Sequence, residues 1–280
     1  MLGKLIKHEF LDTYKLICVY YAVVAALTIL CGISVNTSNS STNTPSILLQ
    51  IFFFLTQIAY MLLLSLLGLI TILALCSHFN KTMYGDQGYL THTLPVKKGS
   101  LLASKYIVAI VWCIASLLVI FLSIVIFGSM LTGVNQFKAF YELTSGRWKE
   151  ISDFVQSKFN CNLTTITFLS IIGVITAVMH LFSFIWACIS IGQLANVKRN
   201  LVGIFSGIGL WFVEFFINRA IMKVFRLSFY GDLVDMIVST TDYHPRFDLS
   251  LLIYIIMSLI FFAAETFVTW FISSKKLNLA

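Results

Sequence analysis

Apolar residues along this chain come in long blocks separated by short polar stretches. Six blocks stand out, 16–34, 47–76, 106–131, 164–194, 201–218 and 250–272. A bilayer core about 30 Å thick is crossed by about 20 helical residues, and each block is at or above roughly that length. The pattern predicts an all-α integral membrane protein of six transmembrane helices in a single domain, residues 1–280. The second block is about 30 residues long, so it is expected to tilt or to project beyond the bilayer.

The residues before the first block show a different periodicity. Leu2, Leu5, Ile6, Phe10 and Ile17 share one helical face, with Lys4, Lys7, His8 and Lys15 on another. Residues 1–15 are therefore expected to form a basic amphipathic helix on an anionic inner leaflet. Glu9 interrupts the pattern beside the apolar stripe. Two readings are open: a carboxylate snorkelling at the helix flank, or an ion pair with a partner subunit or with the loop after the second block. His8-Glu9 does not open an HExxH zinc site, because Asp12 stands where the second His belongs. The first block is long for a signal peptide and no small-x-small site ends it, so it is expected to stay as a helix.

The connections differ in character. Val35 to Ser46 is uncharged, and Thr132 to Leu163 is mixed in charge and expected to hold short helices. Ala195 to Asn200 is expected to be a tight turn carrying Lys198 and Arg199. Arg219 to Leu249 opens with an amphipathic run, Ile221 to Leu227, expected to re-enter the outer leaflet. Gly203, Gly207 and Gly209 are spaced for close helix packing.

Composition supports the membrane assignment. Hydrophobic residues make up 59% of the chain and charged residues 11%, against about 25% charged in soluble domains. The net charge of +7 is explained by sidedness rather than by nucleic acid, which is not an expected partner. Eleven of the 19 basic residues fall in the N-terminal segment, the 77–105 loop, the 195–200 turn and the C-terminal tail. The acids there are Glu9, Asp12 and Asp86. Both termini are thus expected on the cytoplasmic side of the cell membrane. The six cysteines form no CxxC pair and read as small apolar residues.

Three ionisable residues lie inside spans: His180, Glu214 and Glu265. At 1.5 Å per residue, Glu214 is about 20 Å from the inner end of its span and Glu265 about 22 Å from the outer end of its own. His180, about 24 Å from the outer end, comes within about 2 Å of the depth of Glu265. On this arithmetic His180 and Glu265 are expected to pair, whereas Glu214 and Glu265 are expected not to touch. Such groups are either buried polar residues bonded to a neighbouring helix or a polar patch on a transport route.

The most distinctive stretch is the polar interruption from Ser77 to Lys105. Gly85 and Gly88 bracket Asp86 and Gln87, and Tyr89 to Leu94 is fairly apolar before Pro95. A tether would be polar throughout, so this loop looks built to dock. The run Gly85 to Val96, followed by Leu101 to Lys105, resembles the first cytoplasmic loop of type 2 ABC-exporter permeases from Gram-positive bacteria. Lys7 to Phe10 and Lys275 to Leu279 resemble the opening and tail of that family more weakly.

The resemblance implies a coupling element, comprising Glu9, Tyr84, Gly85, Asp86, Gln87, Gly88, Tyr89, Leu94 and Pro95, that contacts a separate ATPase subunit. ATP and Mg would belong to that subunit. This chain has no GxxxxGK[ST], GxSxG or HExxH, so no catalytic, cofactor or metal residues are expected in it. Six spans are half the usual transporter complement, implying a second permease copy. The aromatic-rich spans and the resemblance point to export of amphipathic or hydrophobic peptides of toxin or antimicrobial type, such as phenol-soluble-modulin-like peptides. Drug or lipid export, or a non-pumping peptide immunity or sensor protein, are the alternatives.

Overall fold

A computed structural model describes residues 2–40, 47–85, 87–93, 95–132, 136–159, 162–195, 198–224 and 247–275. The described residues are helical almost throughout and contain no strand. The helices are α1 (Leu2–Ser40), α2 (Ile47–Met83), α3 (Gly88–Thr93), α4 (Lys98–Thr132), α5 (Gln136–Phe159), α6 (Leu163–Gly192), α7 (Arg199–Val224) and α8 (Phe247–Lys275). Six of them, α1, α2, α4, α6, α7 and α8, are long and apolar enough to cross a membrane. This is the arrangement hydrocarbon demands, since a helix satisfies its backbone polar groups within one segment.

The ends of the helices differ from those expected. α1 runs unbroken from Leu2, so residues 2–15 are the first turns of one long helix and not a separate surface helix. α2 and α4 extend into the polar loop, to Met83 and from Lys98, which shortens it to residues 84–97. The 132–163 connection holds one 24-residue helix, α5, where several short ones were expected. α7 continues through Ile221, Met222, Lys223 and Val224. The rest of the expected re-entrant segment, residues 225–246, lies outside the described residues, as does the tail beyond Lys275.

The chain divides into two compact units, residues 1–78 with 103–146, and residues 79–102 with 147–280. In the first, α1, α2 and α4 are held together by hydroxyl groups. Ser116 Oγ lies 2.7 Å from Tyr21 Oη and 2.9 Å from Thr71 Oγ1. Seven residues on, Ser123 Oγ lies 2.7 Å from Thr28 Oγ1 and 2.9 Å from Tyr60 Oη. Seven residues make nearly two full turns, so both serines project from one face of α4. Each serine joins all three helices. Trp112 adds an Nε1–H to Thr13 Oγ1 hydrogen bond of 2.9 Å and stacks on Phe10 at 4.6 Å. Without water to compete, such bonds hold helices that hydrophobicity alone would not distinguish from lipid.

In the second unit, α6 packs against both α7 and α8. Glycine permits the α6–α7 crossing. A Cβ on Gly192 would sit 2.7 Å from the Arg199 carbonyl oxygen, and one on Gly203 would sit 3.2 Å from that of Cys188. Gly207 faces the Cys188 side chain, whereas Gly209 has nothing within 4 Å, so two of the three α7 glycines expected at a packing surface are there. Lys198, at φ 59°, lies in the left-handed region in the turn before α7. The α8 residues Ile253 and Met257 are buried together, with Ile221 and Met222 of α7 packed against them. Ser258 Oγ donates to the Thr176 carbonyl at 3.0 Å, joining α8 to α6.

Candidate functional site

Within the second unit, α6, α7 and α8 each contribute one ionisable side chain to a common point. His180 Nε2 lies 3.4 Å from Glu214 Oε2 and 3.6 Å from Glu265 Oε1. One ligand-type atom from each of the three residues falls within 4.8 Å of the others. The expected pairing of His180 with Glu265 is therefore present as a close approach. The expected separation of Glu214 from Glu265 is overturned. The depth arithmetic counted Glu214 from the inner end of its span and Glu265 from the outer end of its own, and so took the two helices to be level and upright. α7 (Arg199–Val224) and α8 (Phe247–Lys275) differ in length and in where they begin and end, so their residues do not share the depths that level spans would give.

Local sequence explains how these groups turn inward. On α6, Gly173, Thr176, Ser183, Ala187 and Ser190 are all buried, and with His180 they follow a spacing of three and four residues. That is a single stripe of a helix, and its small members let the neighbouring helices approach. On α8, Glu265 shares a buried face with Ser258, Thr269 and Ser273. The stripe of small residues is the signal that fixes the rotation of His180, and it was available in the sequence.

The environment is dry. The Glu265 side chain is 6% exposed, Glu214 13% and His180 22%. Ser183 Oγ donates to Glu265 Oε2. His180 Nε2 and Glu265 Oε1 are buried without a hydrogen-bond partner. The His180 ring stacks on Phe261 of α8 at 5.7 Å.

The shortened α2–α4 loop belongs to the same unit and is fixed at both ends. Phe79 is fully buried and stacks on Trp186 of α6 at 4.5 Å, nearly parallel. The Tyr84 hydroxyl donates to Ser190 Oγ at 2.7 Å. Burial pushes the Tyr84 phenol up to about 12, so it stays a neutral donor. At the other end, Lys98 Nζ donates to the Ser273 carbonyl of α8 at 2.7 Å. Gly85 closes the turn: its N–H reaches the Asn80 carbonyl at 2.9 Å, and its carbonyl accepts from Gly88 N–H at 2.8 Å. A Cβ at Gly85 would meet the Lys81 carbonyl oxygen at 3.0 Å, so close approach rather than a left-handed backbone calls for glycine.

Between these anchors, α3 presents Tyr89 and Leu90, 66% and 67% exposed. Gln87 and Pro95 are also exposed, whereas Gly88 is buried. Asp86 and Leu94 lie outside the described residues. The chain thus carries Tyr84 inward as an anchor and Tyr89 outward, a distinction that the sequence pattern of the loop did not make.

Glu9 sits in the first unit. Its Oε1 accepts from Lys105 Nζ at 2.6 Å and its Oε2 lies 2.8 Å from His78 Nε2. These partners are at the two ends of the Ser77–Lys105 stretch. Of the two readings of Glu9, the ion pair with that stretch is the one observed, with the side chain only 14% exposed.

Comparison of the chain with protein-family models, with curated proteins and with solved structures gives no match.

Proposed function

We propose that this chain is the membrane-spanning subunit of an ATP-driven exporter whose α2–α4 loop docks on a separate ATPase subunit. The observation that carries this reading is the loop itself. Its ends are bonded to α6 and α8, and its short helix exposes two large apolar side chains, Tyr89 and Leu90. An exposed apolar pair on a fixed platform suits a protein surface, and anchors on two helices would pass a push on the loop to both.

On this reading both termini and the loop face the cytoplasm, following the distribution of lysine and arginine. A second copy completes the transporter, and α7, which leaves large apolar side chains such as Phe205, Phe212 and Phe216 exposed away from its contact with α6, offers it a surface. The cargo class that suits aromatic-rich spans is an amphipathic or hydrophobic peptide. ATP and Mg act in the partner subunit.

The test is purification of the full chain from its native membrane in mild detergent, with and without Tyr89→Ser and Leu90→Ser. The expected result is a co-purifying protein with a nucleotide-binding P-loop and ATP hydrolysis stimulated by amphipathic peptides. Both should be lost in the double variant while the chain's own yield is unchanged. Peptide binding without an ATPase would replace this reading with a non-pumping immunity or sensor protein. Stimulation by drugs or lipids and not by peptides would correct the cargo. An ATPase retained in full by the double variant would remove the loop tip from the contact.

A further inference from the structure

We infer that His180, Glu214 and Glu265 form a binding site for one divalent transition-metal ion of the zinc type, held between α6, α7 and α8. Three observations lead there. The first is geometry. A tetrahedral zinc ion with bonds of about 2.0–2.2 Å holds its ligand atoms about 3.4 Å apart. His180 Nε2 stands 3.4 Å from Glu214 Oε2 and 3.6 Å from Glu265 Oε1, distances suited to sharing an ion.

The second is what these atoms do not do. His180 Nε2 and Glu265 Oε1 are buried and lack a hydrogen-bond partner, although they face each other. Glu265 as a residue is 4% exposed, and its Oε1 points at the imidazole rather than at a donor. A proton shared between Glu265 Oε1 and His180 Nε2 would bring those two atoms closer than the 3.6 Å at which they stand. They instead converge on a common point.

The third is charge. As ligands of a metal ion the three groups would be two carboxylates and a neutral imidazole, a sum of two negative charges between three apolar helices, where uncompensated charge is costly. A divalent cation brings that sum to zero. One nitrogen and two oxygens, with few other donors nearby, suit zinc better than calcium or magnesium, which take six or more oxygens or keep several waters. Ser183 supports the assignment by donating to Glu265 Oε2, which turns Oε1 towards the other two ligands. Three protein ligands leave a fourth position open.

The ion would tie together three helices that are otherwise joined mainly by small-residue packing. This inference does not depend on what the loop docks to, and its failure would leave that reading untouched.

The test uses the full-length chain in detergent, stripped with EDTA and then titrated with zinc or with cobalt as a coloured substitute. The expected stoichiometry is about one ion per chain, with the intense visible absorption of tetrahedral cobalt and a rise in Tm on zinc addition. Glu265→Gln and Glu214→Gln should each weaken retention at least about tenfold. Ser183→Ala keeps all three ligands and should weaken retention by about 10- to 100-fold, so it decides the matter if a ligand variant fails to fold. Failure of the wild-type chain to retain zinc after gel filtration would overturn the proposal. So would unchanged retention in a folded Glu265→Gln chain or, where that variant does not fold, in Ser183→Ala.

Discussion

Glu9 and Lys105 form an ion pair, Nζ to Oε1 2.6 Å, across 96 positions of sequence. The Lys105 side chain is 2% exposed, and its ammonium donates to a carboxylate that also engages His78. The pair joins the first turns of α1 to α4, and through His78 the same carboxylate reaches α2.

Removing the Glu9 carboxylate takes its ion-pair partner from a buried ammonium. Glu9→Gln is expected to destabilise the chain by about 3–5 kcal/mol. Asp12→Asn, at an exposed position on the same helix, should stay within about 0.5 kcal/mol. Thermal unfolding in detergent would check both. Glu9→Gln combined with Lys105→Met should recover much of the loss, because the buried ammonium is removed together with the carboxylate it pairs with. A double variant as unstable as Glu9→Gln alone would contradict that account.

Ser116 and Ser123 each bind one hydroxyl from α1 and one from α2. Interhelical hydrogen bonds in membranes average about 0.6 kcal/mol and reach about 1.7. Ser116→Ala and Ser123→Ala should therefore each cost roughly 1 kcal/mol, from two bonds lost per site. They lie seven residues apart and share no partner, so their effects should add within about 0.5 kcal/mol in a double-mutant cycle. Strong coupling between them would show that the three helices respond as a single body.

Gly192→Ala places a methyl group 2.7 Å from the Arg199 carbonyl oxygen, a backbone atom that cannot rotate away. α6 and α7 must part locally, at an expected cost of about 1–3 kcal/mol. Gly209→Ala, with nothing within 4 Å, should be neutral or slightly stabilising, because alanine is the better helix former. Equal Tm values for the two variants would show that the crossing tolerates separation.

Tyr84 gives a pH signature. Its phenol is raised from 10.0 to about 12 by burial, so the folded chain holds that proton more tightly than the unfolded chain. The stability this contributes is fully present below pH 10.0 and is lost as pH rises to about 12. Tyr84→Phe removes the hydroxyl and should cost roughly 1 kcal/mol at neutral pH. It should also abolish this part of the alkaline loss, read as protease cleavage of the loop between pH 10 and 11. Identical alkaline profiles for the two proteins would mean that Tyr84 is not what holds the loop at high pH.

The sequence by itself determined the six apolar helices, because hydrocarbon leaves the backbone no other way to satisfy its polar groups and the length of an apolar run sets the span. It also isolated the three ionisable residues inside spans and two of the glycines at the α6–α7 crossing, since both are matters of residue type and spacing. It misplaced the helix ends. Hydropathy reports the solvent around a side chain, whereas a helix continues wherever the backbone bonds can be made, and Ser77 to Met83, Lys98 to Lys105 and Arg219 to Val224 are polar or mixed yet helical. Only the tertiary structure decided that His180, Glu214 and Glu265 meet, that Glu9 closes on Lys105 and His78, and that Tyr84 turns in while Tyr89 turns out. Each depends on the stagger and rotation of one helix against another. Those are fixed by small-residue contacts such as Gly192 on the Arg199 backbone, which carry almost no signal when the residues are read one at a time.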